Sequence, residues 1–406
     1  MTSGSIAGRV GAAERPRDGL AAWRGGSGCA TRGASAAREV TDMVSSYATR
    51  SDSAPRGAAC RLCRVRCIAP ARWLVALALV ACAGDAAPLA RPVAALQGAR
   101  VTSPEGQVAA ARPTGPQGQV PAGPPALRRH SVRADGHALA VYSKVPARPR
   151  AAVLLVHGRT WSGLPDFDLQ VPGERVSLMD ALAGAGVAAY AVDLRGYGET
   201  ARDDSGFATP TRSAADVAEV LRFVAADAGA PGQPYLLGWS LGALVSALTV
   251  QQGPELAAGV VLYGYPCRGG AGGRRAVDPE APRRAANTAA SAASDFITPG
   301  SVSRAVVDAF VAAALRADPV RADWRRGEEW DALRFAALRV PVLVIHGERD
   351  PVTDRGCMAD RFAELAGVDR RWVILAGGDH AAHLERSAAG FVAAVVEFVT
   401  APVSAN

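Results

Sequence analysis

The chain has 406 residues, 49% of them hydrophobic, which is enough for one large core or two smaller ones. Its formal charge of +7 is confined to positions 1–82, where 12 arginines face 5 acidic residues; the remainder holds 33 basic and 33 acidic groups, shows no basic stripe, and so excludes a nucleic-acid-binding body. No run of about 18 apolar residues occurs, so no membrane-spanning helix is expected.

Lys144 is the sole lysine, and with the abundance of Ala, Arg and Gly this reads as translation of a GC-rich genome. The seven cysteines form no disulfide framework: five lie at or before Cys82, leaving Cys267 and Cys357 in the body. "CRLCRVRC" (Cys60, Cys63, Cys67) has the flavour of a metal knuckle, but no His or Cys follows at zinc-site spacing, so an accidental cluster is the better reading. No metal or organic cofactor is implied.

In chain order, residues 1–64 show no sustained helical or strand period. Residues 65–82 then read as a secretory signal: Arg66 and Arg72 lead an apolar run, Trp73–Ala81, that ends at Leu79-Val80-Ala81-Cys82. Those last four residues resemble the lipobox of bacterial lipoproteins, which implies lipidation of Cys82 and an exported, membrane-anchored product; an ordinary signal peptide cut at a nearby Ala is the alternative. A signal belongs at the N-terminus, so translation is expected to start near Val65, with 1–64 disordered or wrongly included. Residues 83–127, rich in Ala, Pro, Gly and Gln and lacking aromatics, read as a flexible tether.

The folded body is expected over 128–400. "HSVRADGHALAVYSKV" alternates around Asp135-Gly136 and predicts a hairpin. "RAAVLLVHG" predicts a strand buried on both faces, "SLMDALAGAG" a helix and "VAAYAVDL" a strand. "SAADVAEVLRFVAADAG" predicts a helix, "QPYLLGWS" a strand, "LGALVSALTVQQG" a helix and "AAGVVLYG" a strand. "VPVLVIHGERD", "RRWVILAGG" and "AAGFVAAVVEFV" complete an alternation that predicts a mostly parallel, doubly wound α/β sheet. Tyr265–Arg339 interrupts it; a connection that long reads as a lid, loop-like at first and then helical, in which Trp324 and Trp330 either suggest an apolar pocket or, at least as often for aromatics on a lid helix, pack as core.

Gly238-Trp239-Ser240-Leu241-Gly242 is G-x-S-x-G between a predicted strand and a predicted helix, the context of a nucleophile elbow. Serine needs a base. His130 and His137 fall in the opening hairpin, His346 at a buried strand end, and His157 in an early exit loop. His380 comes first after the last strand and is the better candidate; His383, a turn further on, is expected to pack or hydrogen-bond locally. Asp350, in the loop after "VLVIH", is the candidate acid, with Asp354 as fallback, and the order Ser…Asp…His suits this architecture. The oxyanion donors are expected to be the backbone N–H of Leu241 and that of Arg159, with Thr160 next in line.

With these motifs in this order, "LLVHG", "AVDLRGYGET", "LLGWSLGA", "VPVLVIHGERDPVT" and "DHAAHLE", the chain resembles the α/β-hydrolases from about 130 to 400. Within them it is similar to the branch holding monoglyceride lipases, lysophospholipases and serine aminopeptidases. The resemblance implies a serine hydrolase acting on a small-molecule or lipid-like carboxylic ester. A peptidase of the same fold, or a non-catalytic surface lipoprotein, is the alternative. Asp379 departs from the family, which usually has Gly before its histidine, and its carboxylate stands to perturb His380. Ser240 argues against the haloalkane dehalogenases, which use Asp there. Oligomeric state is not legible.

Overall fold

The computed structural model describes residues 125–267, 278–365 and 369–401. The stretch 1–64, the signal-like segment with Cys82 and nearly all of the 83–127 tether lie outside the described residues.

Strands β1 (Arg128–Ala134) and β2 (His137–Lys144) form the expected antiparallel hairpin, turning through Asp135 and Gly136, both at positive φ. There follow β3 (Ala151–Val156), α1 (Gly163–Phe167), α2 (Leu178–Gly184), β4 (Val187–Val192), β5 (Phe207–Ala208) and α3 (Pro210–Asp227). The middle of the chain supplies β6 (Tyr235–Trp239), α4 (Leu241–Gln252) and β7 (Gly259–Tyr263). The insertion carries α5 (Ala289–Ala293), α6 (Arg304–Ala317) and β8 (Asp323–Trp324), and the chain ends with β9 (Val342–Gly347), α7 (Arg355–Ala363), β10 (Arg370–Leu375) and α8 (Ala388–Thr400).

Eight strands make one sheet in the order β1-β2-β4-β3-β6-β7-β9-β10, parallel from β4 onward, while β5 and β8 pair separately. The chain moves outward from β3 to β4 and then returns to place β6 on the other side of β3, so a topological switch point lies between β3 and β6. In open α/β sheets that is where sites form, outside the carboxyl ends of the strands.

Alternation along the central strands explains their continuous apolar runs. Ala152, Leu154 and Val156 of β3 join a core with Val217, Val220, Leu221 and Val224 of α3. Val153 and Leu155 turn to the opposite face and pack with Leu178, Met179 and Leu182 of α2 and with Phe391 and Val395 of α8. Both faces are therefore covered, and each strand residue has an apolar neighbour whichever way it points. Among the described residues no helix is long and apolar enough to cross a membrane.

The insertion builds a third, smaller core. Ala292 of α5 and Val306, Phe310 and Ala314 of α6 close on Trp161, Leu169, Val171 and Val176 from the segment after β3, together with Leu384. Ser303 caps α6 by accepting from the Val306 N–H, the kind of bond that supplies an orphan donor of a first turn. Trp324 and Trp330 follow the core-packing alternative, though neither stands on a lid helix. Trp324 sits in β8 and Trp330 in a short 3-10 turn, and both pack half-buried against the main core. Trp324 Nε1 also donates to Tyr197 Oη at 2.8 Å. Cysteine usage needs correcting as well: Cys267 and Cys357 are disulfide-bonded, with their Cα atoms 5.7 Å apart. The sole lysine has a structural place, since Lys144 Nζ is buried 2.6 Å from both Asp168 and Asp180.

Candidate active site

Ser240 occupies the turn from β6 into α4 with φ 55° and ψ −118°. A non-glycine residue at positive φ costs of order 1–3 kcal/mol and persists only when its surroundings over-determine it. Here they do. The Ser240 N–H donates to the Tyr263 carbonyl on β7 at 2.8 Å, and the Ser240 carbonyl accepts from Ala243 N–H at 2.9 Å. The flanking glycines are required by close approach: a Cβ on Gly238 would stand 2.1 Å from the Gly242 oxygen. One on Gly242 would stand 2.2 Å from the Val156 oxygen and 2.5 Å from that of His157. The turn is wedged against the end of β3, which explains both glycines of the pentapeptide.

His380 lies in the loop after β10, its side chain 11% exposed, and Asp350 in the loop after β9, its side chain fully buried. His380 Nδ1 meets both carboxylate oxygens of Asp350, at 3.0 and 3.1 Å, which leaves Nε2 as the ring nitrogen free for other work. Asp350 is held in turn by the Val352 N–H at 2.8 Å and the Thr353 hydroxyl at 3.3 Å. Burial alone would lower the pKa of His380; the charge and hydrogen bond of Asp350, helped by Asp295 and Asp379, outweigh it and leave the imidazole above its ordinary value. Burial pushes Asp350 the other way, but the His380 charge and bond and the Val352 N–H hold it below the ordinary carboxylate value. Asp354, the fallback acid, is occupied elsewhere: it caps α7 by accepting from the Cys357 N–H.

Ser240 joins this pair through its neighbours. Trp239 Nε1 donates to the His380 carbonyl at 2.9 Å, and its ring lies 5.5 Å from the imidazole. Tyr263, whose carbonyl holds the Ser240 N–H, also donates its hydroxyl to the His380 carbonyl at 2.8 Å. One tyrosine thus ties the serine turn and the histidine loop to the same strand end. Neither Trp239 nor Tyr263 was marked by any sequence motif.

The remaining histidines have fixed partners or apolar surroundings. His157 accepts from Leu194 N–H and is pushed down to about 4 by burial. His383 donates through Nε2 to the Asp166 carbonyl at 2.7 Å and is likewise lowered to about 4 by burial, so the expected local role is what it has. His346 is lowered by burial too.

The loop after β3 passes beside the serine, a Cβ on Gly158 falling 3.6 Å from Ser240 Cβ. The Gly158 N–H is engaged by Asp166 at 3.2 Å, while Tyr197 donates its hydroxyl to the Arg159 carbonyl and so fixes the far side of that residue. The Leu241 N–H, first in α4, has no acceptor within its helix. Asp193 braces the same region, accepting from Gly163 N–H at 2.8 Å and Glu199 N–H at 3.0 Å, and burial raises it to about 6.

Residues 147–387 match the hydrolase family described as serine aminopeptidase, S33. The chain belongs to that family. No curated protein matches the sequence. Among solved structures, epoxide hydrolase A from Mycobacterium thermoresistibile is similar at 20% identity, with a TM-score of 0.50 over 68% of this chain and 99% of its own. The naproxen esterase of Bacillus subtilis is similar at 16% identity, with a TM-score of 0.46 over 68% and 92%. At these identities the likeness is one of fold: this S33-family chain is an α/β hydrolase.

The S33-family chain also carries a carboxylate that sequence reasoning missed. Asp295, just past α5 in the insertion, accepts from Trp161 Nε1 at 2.7 Å. Burial raises it to about 6, while the charge of His380 pulls it back, which places Asp295 within electrostatic reach of the imidazole. Asp166 is fully buried, its Oδ1 has no partner among the described residues, and burial followed by the charge of Asp295 raises it well above the ordinary range. No local pattern marks Asp295, because its meaning comes from a contact made 134 residues away in sequence.

Proposed function

We propose that this hydrolase cleaves carboxylic esters, small-molecule or lipid-like, through an acyl-enzyme formed on Ser240. The observation that carries the reading is Ser240 held at positive φ on the β6–α4 turn while His380 Nδ1 is engaged by Asp350. Ser240 Oγ attacks the ester carbonyl as His380 Nε2 takes its proton, and Asp350 holds the imidazole and stabilises the imidazolium. The N–H groups of Leu241 and Arg159 receive the oxyanion. Collapse breaks the C–O bond, and His380 passes its proton to the departing alcohol. Water, deprotonated by His380, then attacks the acyl carbon, releasing the carboxylic acid and restoring the Ser240 hydroxyl.

A fluorophosphonate probe tests this directly. The expected result is an adduct on Ser240 that is lost in Ser240→Ala while the melting temperature is kept. Below its pKa His380 is protonated and takes no proton from serine, so labelling is slow at low pH and rises as His380 deprotonates. Because that pKa is raised, the midpoint is expected above the ordinary histidine value of 6.5. An unlabelled but folded wild-type protein overturns the reading in favour of a non-catalytic surface protein.

Asp295 favours a second reading: a lid carboxylate held by Trp161, whose charge is felt by His380, suits a substrate bearing a cationic amine, as an aminopeptidase would require. Comparing p-nitrophenyl esters with aminoacyl anilides separates the two, and a preference for the anilides, lost in Asp295→Asn, selects the peptidase.

We further propose that the protein is exported, with Cys82 as a lipidated N-terminus. The signal-like pattern supports this, and so does the Cys267–Cys357 disulfide, since such bonds persist in oxidising compartments. Mass spectrometry of the native product is expected to find a lipidated Cys82 first residue; a peptide from within 1–60 overturns it.

A further inference from the structure

Asp379 precedes His380 and is fully buried, yet nothing in the acyl-transfer scheme uses it. Its carboxylate reaches two elements. Oδ1 accepts from the Ala381 N–H at 3.1 Å, inside the histidine loop. Oδ2 accepts from the Thr298 N–H at 2.6 Å, across 81 residues of sequence and inside the insertion. Thr298 is three residues beyond Asp295, the lid carboxylate bonded to Trp161. A second tie runs parallel, the Arg386 N–H donating to the Ser301 carbonyl at 3.2 Å. Leu384 of the same loop is buried in the small lid core against Trp161 and Phe310. The loop that carries His380 is therefore also a wall of the lid.

We propose that Asp379 is a positioning residue that straps the lid segment 295–301 to the loop of His380, and so sets the space for substrate between them. The strap rests on the reading of Ser240 and His380 as catalytic groups. A backbone amide bonded to a buried carboxylate is a strong tie, because the bond is charge-assisted. The neighbouring carboxyl supports this arrangement. Glu385 accepts from the Asp379 N–H at 2.9 Å. Burial, then the hydrogen bond with Asp379, pushes Glu385 up to about 8, which favours its neutral form and lessens repulsion across the strap. A hydrogen bond of this class, once lost, corresponds to about tenfold in an equilibrium.

The test compares wild type with Asp379→Asn, which keeps one acceptor oxygen, and Asp379→Gly, which keeps none. Amide hydrogen exchange is followed on the peptide spanning Thr298 and on a control peptide from β6. Exchange at Thr298 is expected to rise on the order of tenfold in Asp379→Gly and less in Asp379→Asn, with the control unchanged. In kinetics, KM for a dodecanoyl p-nitrophenyl ester is expected to rise by a similar factor, and by more than KM for the acetyl ester. Unchanged exchange at Thr298 overturns the strap. So does an equal fall in kcat on both esters with KM unchanged, which would place the action of Asp379 on His380 itself. If Asp379→Gly does not fold, the Asp379→Asn result decides. The exchange measurement needs no activity, so an unlabelled Ser240 in the wild type sinks the catalytic reading without being mistaken for failure of the strap.

Discussion

The sheet and the lid hold their parts in different ways. At the Ser240 turn itself the constraints are mostly backbone against backbone: Gly242 meets the carbonyls of Val156 and His157, and the Ser240 N–H meets the carbonyl of Tyr263, with side chains entering only to tie the turn to the His380 loop. In the lid side chains carry more of the load, with Phe310 and Trp161 in its core and Asp295, Asp318 and Asp379 as polar ties beside the backbone bond from Arg386 N–H to the Ser301 carbonyl. Backbone constraints barely depend on residue identity beyond glycine, whereas side-chain constraints change with every substitution. The serine turn is thus the fixed half of the site and the lid the tunable half.

Two substitutions probe that division, the larger effect first. Gly242→Ala forces a methyl carbon to within 2.2 Å of a backbone oxygen, with rigid strand on one side and helix on the other. The expected cost is at the exceptional end for a point change, more than about 4 kcal/mol, read as loss of folded protein in a thermal melt. A normal melt with normal labelling of Ser240 would show that the turn is softer than its contacts imply. Phe310→Ala, fully buried in the lid core, is expected to cost about 3–5 kcal/mol, borne by the lid. Limited proteolysis should then cut within 289–317 well below the main melting transition, while Ser240 is still labelled by a small fluorophosphonate. If the whole protein melts together instead, the two regions form a single cooperative unit and the division fails.

The body was legible in the sequence because its information is local. Strands β3, β4 and β6 are continuous apolar runs, α3 repeats valines at helical spacing, and the Ser…Asp…His order follows from strand order. The His380–Asp350 contact could be anticipated for that reason. The lid was legible as an interruption that turns helical in its second half, as α6 does, but its contacts were not. Asp295 means nothing until Trp161 reaches it, and Trp324 became a partner of Tyr197 rather than a pocket residue, 127 positions apart in sequence. The pairing of Cys267 with Cys357 escaped for a similar reason. Two cysteines make no spacing pattern, and only the pairing of β7 with β9 brings the segments that follow those strands together.

That disulfide also changes what a break in the chain would mean. Cys267 and Cys357 stand 90 residues apart, and the described lid elements all lie between them. The lid is therefore an arc of a closed covalent ring whose other fixed point is the sheet. A protease that severs the lid cuts the ring once, and both fragments stay joined through sulfur. The nicked molecule would migrate as one piece on a non-reducing gel and separate into two only after a thiol is added. In an oxidising compartment a single cut would reshape the roof of the site without shedding it.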